Sequence, residues 1–223
     1  MPKRKTVLVN NEFYHIFNRS VAQQPIYKNK REYNVFLGAL EYYRFQKVPF
    51  RYSHFVRLNS TEKISLLNHL YSANKNFVDV YAFCLMPNHY HLLLKQISNN
   101  GVSNFIRLLQ NSYARYQNIK SKRFGSLFQS PFKAVRIEND SQFMHIARYI
   151  HLNPLTSFIL KEPKELYSYY WSSWLDYFSP KPRAFVETKF LLKLIPKYKL
   201  ADFTFNQLDF QRKLENIKHL ILE

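Results

Sequence analysis

The sequence predicts an α+β fold: an antiparallel sheet with helices packed on one face, plus a helical C-terminal extension. Apolar residues alternate over Phe13 to Arg19 and run almost unbroken from Phe77 to Met86, whereas Lys30 to Phe45 and Gly101 to Lys120 show helical spacing. Only three glycines punctuate the 223 residues, and the order strand, helix, strand, strand, helix, strand, helix suits a layered antiparallel sheet.

The segment FYHIFNR (Phe13 to Arg19) alternates well enough to be the first strand. From Lys30 to Phe45, residues Val35, Phe36, Ala39, Leu40 and Tyr43 share one helical face. Residues from about 46 to 76 mix polar, aromatic and short helical patterns, such as Thr61 to Leu70 after Asn59-Ser60, and read as an insertion. FVDVYAFCLM (Phe77 to Met86) is β-branched and aromatic, Pro87-Asn88 breaks it, and Tyr90 to Gln96 resumes the apolar run, so a hairpin is expected.

From Gly101 to Lys120, Val102, Phe105, Ile106, Leu109, Tyr113 and Tyr116 recur at spacings of three and four, an amphipathic helix with a basic outer side. Phe124 to Phe128 and Phe132 to Ile137 are short strand candidates. Asn139-Asp140-Ser141 then caps a helix running to about Leu152 and ended by Pro154. The main domain spans residues 1–160. Residues 161–223 form the extension, with WSSW at Trp171 to Trp174 and helical stretches near Glu187 to Ile195 and Phe205 to Leu222.

A hydrophobic content of 46% with 17% aromatic residues supports a folded core and excludes a disordered polycation. Against 15 acidic residues stand 33 Lys and Arg, a formal charge of +18 that favours a polyanionic partner, nucleic acid first. No apolar run reaches membrane-spanning length and the N-terminus lacks a signal-peptide core, so a cytoplasmic protein is expected. Cys84 is the only cysteine, which excludes an intrachain disulfide and a thiolate zinc cluster, and its apolar neighbours place it in the core.

Charge is unevenly spread. Between Asp79 and Glu138 there is no acidic residue, while Lys95, Arg107, Arg115, Lys120, Lys122, Arg123, Lys133 and Arg136 all fall there, so this window is the expected phosphate-facing part. A metal ligand within it must be His, Asn, Gln or backbone. Arg107 and Arg115, on the outer side of the helix, are the better phosphate contacts, and Arg19 a weaker one. A basic side chain on a helix exterior is often merely solvated.

Two segments can carry chemistry. In LMPNHYHLLL (Leu85 to Leu94), strand alternation points His89 and His91 to one face, with backbones about 7 Å apart, and Tyr90 to the other. They can converge on a divalent ion, yet an isolated H-x-H is more often a solvated or hydrogen-bonded pair. In ARYIHLNP (Ala147 to Pro154), Tyr149 lies beside the apolar stripe of Phe143, Ile146, Ala147 and Ile150, with Asn153 one turn on. A tyrosine can break a phosphodiester and keep the bond energy in a phosphotyrosine ester, given a polarised phosphate. A metal on His89 and His91 would polarise it, and Asn153 could add an oxygen ligand. Against this, most of the 17 tyrosines must be core or surface residues.

In order along the chain, YHIFNR, LMPNHYHLLL, GVSNFIRLLQNSYARY, GSLFQSPFKA, YIHLNP and WSSW resemble the HUH-superfamily single-tyrosine transposases, most closely the REP-associated tyrosine transposase branch, over roughly residues 10–178. The resemblance implies a ferredoxin-like sheet presenting His89 and His91 to Mg²⁺ or Mn²⁺, with Asn153 helping to bind the metal and Tyr149 as nucleophile. It implies cleavage of single-stranded DNA near a hairpin, with a 5′-phosphotyrosine link and a free 3′-OH, and rejoining by reversal. Tyr113 and Tyr116 are then packing or strand-contacting residues. The insertion and the extension beyond about residue 180 depart from the pattern, leaving DNA specificity and a monomer or homodimer open. A noncatalytic single-strand-binding protein on the same scaffold and a hydrolytic metallonuclease are the competing readings.

Overall fold

A computed structural model describes residues 6–213, and the expected helix from Phe205 to Leu222 lies partly outside them. Its strands are β1 (Phe13–Arg19), β2 (Val78–Met86), β3 (His89–Gln96) and β4 (Lys133–Ile137). They form one antiparallel sheet in the order β2-β3-β1-β4. With α1 (Lys30–Tyr43) between β1 and β2, and α4 (Gly101–Lys120) between β3 and β4, this is the β-α-β-β-α-β arrangement of the ferredoxin-like fold. The expected class therefore holds.

Period-two alternation sorts the strands into two cores. Tyr14, Ile16, Phe83, Leu85, Tyr90 and Leu92 face α1 and α4, meeting Phe36, Leu40, Phe105 and Leu109. Fully burying such side chains stabilises by roughly 1.5–3 kcal/mol each. These two helices are the expected layer on one face. The opposite face carries a second layer, α5 (Asp140–Thr156) and the extension, which join Ala82, Cys84, Met86 and Leu93 through Phe143, Ala147, Ile150, Trp174 and Tyr177. A bulge between Val80 and Ala82 places Tyr81 and Ala82 together in this second core and resets β2, so that Cys84 pairs with His91.

The insertion folds as α2 (Tyr52–Phe55) and α3 (Ser60–Ala73), the latter started by a capping box between Asn59 and Glu62. It rests on α1, where Phe55 stacks on Tyr42 and the Tyr71 hydroxyl donates to Glu41 Oε1 at 2.6 Å. Gly38 permits the approach: a Cβ there would sit 2.0 Å from the Tyr52 hydroxyl.

Two expected boundaries move. Phe124 to Phe128 is not a strand. Only Phe128 pairs, through one bridge to Ser20, because left-handed backbone at Lys122 (φ 47°) and Gly125 (φ 88°) turns the chain out of an extended path. Nor does Pro154 end α5, which runs to Thr156. Proline removes only its own donor, while Asn153 adds a side-chain bond to the Tyr149 carbonyl at 2.9 Å and Ser157 N–H still bonds the Asn153 carbonyl at 3.0 Å.

The extension continues with α6 (Trp174–Phe178), α7 (Lys189–Leu194) and α8 (Lys197–Phe205). Before α6 it runs along the outer edge of β2: Leu85 N–H bonds the Trp171 carbonyl at 2.8 Å and Ser173 N–H the Phe83 carbonyl at 2.9 Å. After α6, Glu187 N–H bonds the Val80 carbonyl at 2.8 Å. An otherwise open edge strand is thereby covered.

Candidate active site

Register assembles the site. β1 and β3 pair with Phe17 opposite His91 and Arg19 opposite His89, so His15, Phe17, Arg19, His89 and His91 share the face covered by α5. His91 and His89 sit with rings 5.1 Å apart, and His15 stacks on His91, also at 5.1 Å. From α5, the Tyr149 ring meets His91 edge-on at 5.5 Å and His15 at 5.8 Å. The tyrosine therefore reaches the histidines of its own chain, and no exchange of helices is needed to complete the cluster. Asn153, buried one turn further along α5, is tied to the Tyr149 carbonyl.

Hydrogen bonds orient both imidazoles. Asn88 Nδ2 donates to the Gln23 carbonyl at 3.1 Å, which leaves its amide oxygen facing His89 Nδ1 at 2.6 Å. An amide oxygen only accepts, so His89 carries its proton on Nδ1, and Nε2 is the ring's lone-pair atom. His91 Nδ1 lies 2.9 Å from His15 Nε2. If His91 donates there, its Nε2 likewise becomes the acceptor atom, the tautomer a ligating imidazole needs. Burial pulls the pKa of His15 down to about 4. Burial, with the charge of Arg19 beside it, brings His89 to about 4. Both rings are thus neutral near pH 7.

This donor chemistry fits a divalent ion: two imidazoles on one face, each with its inner nitrogen against a neighbouring side chain, and the Asn153 amide on the helix that crosses them. Among the described residues no group of three His, Cys, Asp or Glu is arranged to hold a metal. Two imidazoles and the Asn153 amide would have to suffice as protein ligands.

Sequence reading missed His15 and the role of Asn88. Alternation in FYHIFNR puts His15 on one face with Phe17, but only the β1-β3 register shows that this face carries His91. Tyr90 faces away as expected, fully buried, its hydroxyl accepting from Gln110 Nε2 at 2.7 Å. Tyr113 is equally buried and donates to the Ile26 carbonyl at 2.6 Å.

Arg19 and the basic residues of the window from Arg107 onward divide. Arg19 stands opposite His89, and Lys133 lies over the Phe17 ring at 5.9 Å, beside the cluster. Arg107 and Arg115 are exposed on α4, and Lys122 and Arg123 flank the turn that follows it. Lys120 is ion-paired to Glu32, and Arg136 to Glu12 at 2.8 Å. The window has no acid of its own, but carboxylates from outside it take up these two.

The fold has a counterpart among solved structures. A REP-associated tyrosine transposase, described as bound to a REP hairpin, superposes with a TM-score of 0.54 over 84% of this chain and 98% of its own, at 12% identity, and so shares the fold. In sequence, residues 50–153, the stretch that holds His89, His91, Tyr149 and Asn153, match the family described as "Transposase IS200 like". No curated protein matches the chain. Among the described residues no helix is long and apolar enough to cross a membrane.

Proposed function

We propose that this protein is a cytoplasmic transposase-like endonuclease that nicks and rejoins single-stranded DNA beside a hairpin, through a 5′-phosphotyrosine intermediate on Tyr149. The observation that carries the reading is the Tyr149 ring set edge-on against His91, 5.5 Å away, on the face where His89 also points. The family match over residues 50–153 and the hairpin-bound structural neighbour support this choice of substrate class.

In this reading His89, His91 and Asn153 hold Mg²⁺ or Mn²⁺, which when bound serves as a Lewis acid toward the scissile phosphate. Arg19 and Lys133 seat the flanking phosphates at the end of β1 and β4. The Tyr149 oxygen attacks phosphorus, the bond to the 3′ oxygen breaks, and the phenolic proton is delivered, net, to that departing oxygen. The products are a 5′-phosphotyrosine ester and a free 3′-OH. Attack of a 3′-OH on the ester reverses the step, because the ester retains the bond energy.

A labelled single-stranded hairpin incubated with Mn²⁺ should give a covalent adduct on a denaturing gel. Tyr149→Phe should abolish it, and Tyr113→Phe and Tyr116→Phe should not. Survival of the adduct in Tyr149→Phe would overturn the assignment. Cleavage without any adduct would mean hydrolysis, and binding without cleavage a noncatalytic single-strand-binding protein.

A further inference from the structure

We propose that the cleft between α4 and residues 125–132 holds an unpaired nucleotide of the DNA strand, and that Phe124 at its lip supplies a stacking face. The proposal rests on the single-strand DNA reading and assigns a second place on the protein to the substrate.

The cleft has a volume of about 560 Å³, within the roughly 300–1,000 Å³ usual for small-ligand sites. Its wall is apolar at Ile106, Ala114 and Phe128 and amide-bearing at Gln110, Asn111 and Gln129, with Arg107 as its cation and no carboxylate. Apolar walls with a few amides suit a base edge, which presents both donors and acceptors, and a cation without acidic neighbours suits the attached phosphate. Gln110 is held in place by its bond to the Tyr90 hydroxyl. Asn111 and Gln129 are exposed.

Phe124 directly precedes the lining residues Gly125 and Ser126 and is 96% exposed, between Arg123 and a left-handed glycine. The turn that presents it is held, with Asn118 Nδ2 donating to the Gly125 carbonyl at 3.0 Å and Arg123 Nη2 to the Ser126 carbonyl at 3.1 Å. A phenyl ring fixed in water among basic residues has no core to fill, and base stacking is the interaction that chemistry offers it.

The cleft also connects to the tyrosine site. Gln129 N–H bonds the Arg19 carbonyl at 2.9 Å, and Asn18 Nδ2 the Gln129 carbonyl at 2.8 Å, so the cleft wall is fastened to the end of β1 opposite His89. A strand leaving the cleft over Gln129 meets Arg19 and Lys133 before reaching Tyr149.

The test measures affinity by fluorescence anisotropy in a Tyr149→Phe background, comparing a blunt DNA hairpin with the same hairpin carrying a short single-stranded flank at either end. Phe124→Ala and the Asn111→Ala/Gln129→Ala pair, all at exposed positions, should each weaken flanked-hairpin binding about tenfold. Blunt-hairpin affinity and thermal stability should not change, and Phe124→Trp should bind like the parent. Equal affinity of parent and variants for the flanked hairpin, or equal losses on both DNAs, would overturn the cleft assignment. Flank-specific loss, with no adduct formed by the protein that retains Tyr149, would uphold the cleft and sink only the nicking reaction.

Discussion

At the scale of single residues, the tautomers that the proposed metal ligands need depend on partners that the H-x-H pattern does not contain. His15 Nε2 faces the inner nitrogen of His91, and the Asn88 amide oxygen faces that of His89. His15→Leu is therefore expected to lower Mn²⁺ affinity roughly 10- to 100-fold by titration calorimetry, whereas His15→Gln, whose amide oxygen can accept, should recover much of it. Unchanged affinity in His15→Leu would show that His15 merely packs. That His89 and His91 share a face and that Asn153 follows Tyr149 by one turn was legible from spacing. His15 was not, since its importance arises from a contact 76 positions away.

Glu32 makes a residue-scale case in electrostatics. Burial alone would raise its carboxyl pKa, but bonds from the Lys120 side chain and the Lys28 backbone more than offset that and hold it below the ordinary 4.5. A group depressed in the folded state stabilises at pH values above its unfolded pKa, and that contribution is lost as pH falls through the folded value. Melting temperature should accordingly drop on acidification below about pH 4.5, and the Glu32→Gln variant should be less stable near neutrality yet flatter in this range. A variant curve parallel to that of the parent would refute the role assigned to Glu32.

Elements were the most legible scale. Alternation and helical spacing locate β1, β2, β3, β4, α1, α4 and α5, because each has a long face to bury. The errors fell where one residue decides: Gly125 and Lys122 turn the chain before a strand can form, and Asn153 with Ser157 carries α5 past Pro154. Gly101 shows the same local control at the start of α4. A Cβ there would stand 2.2 Å from the Phe77 carbonyl oxygen, a backbone atom that cannot swing aside. Gly101→Ala should cost about 1–3 kcal/mol in chemical denaturation. A loss below 0.5 kcal/mol would mean that the approach of α4 to the hairpin base relaxes freely.

Across the whole molecule, the charge of +18 and the acid-free window signal a polyanionic partner from composition alone. What composition could not show is that the extension crosses back to bond the edge of β2 and fill the second core with Trp174 and Tyr177. We propose that the boundary near residue 160 separates roles in the chain and not independently stable units. A chain ending at residue 160 should lose the cooperative melt and aggregate, because β2 regains an open edge beside uncovered apolar surface. A sharp two-state melt from that fragment would contradict this.

The central claim concerns one oxygen atom. Trapped with a single-stranded hairpin and Mn²⁺, digested and sequenced by tandem mass spectrometry, the protein should yield the peptide holding Tyr149 with a nucleotide esterified through its 5′ phosphate to that tyrosine. The same nucleotide found on another tyrosine would contradict the account.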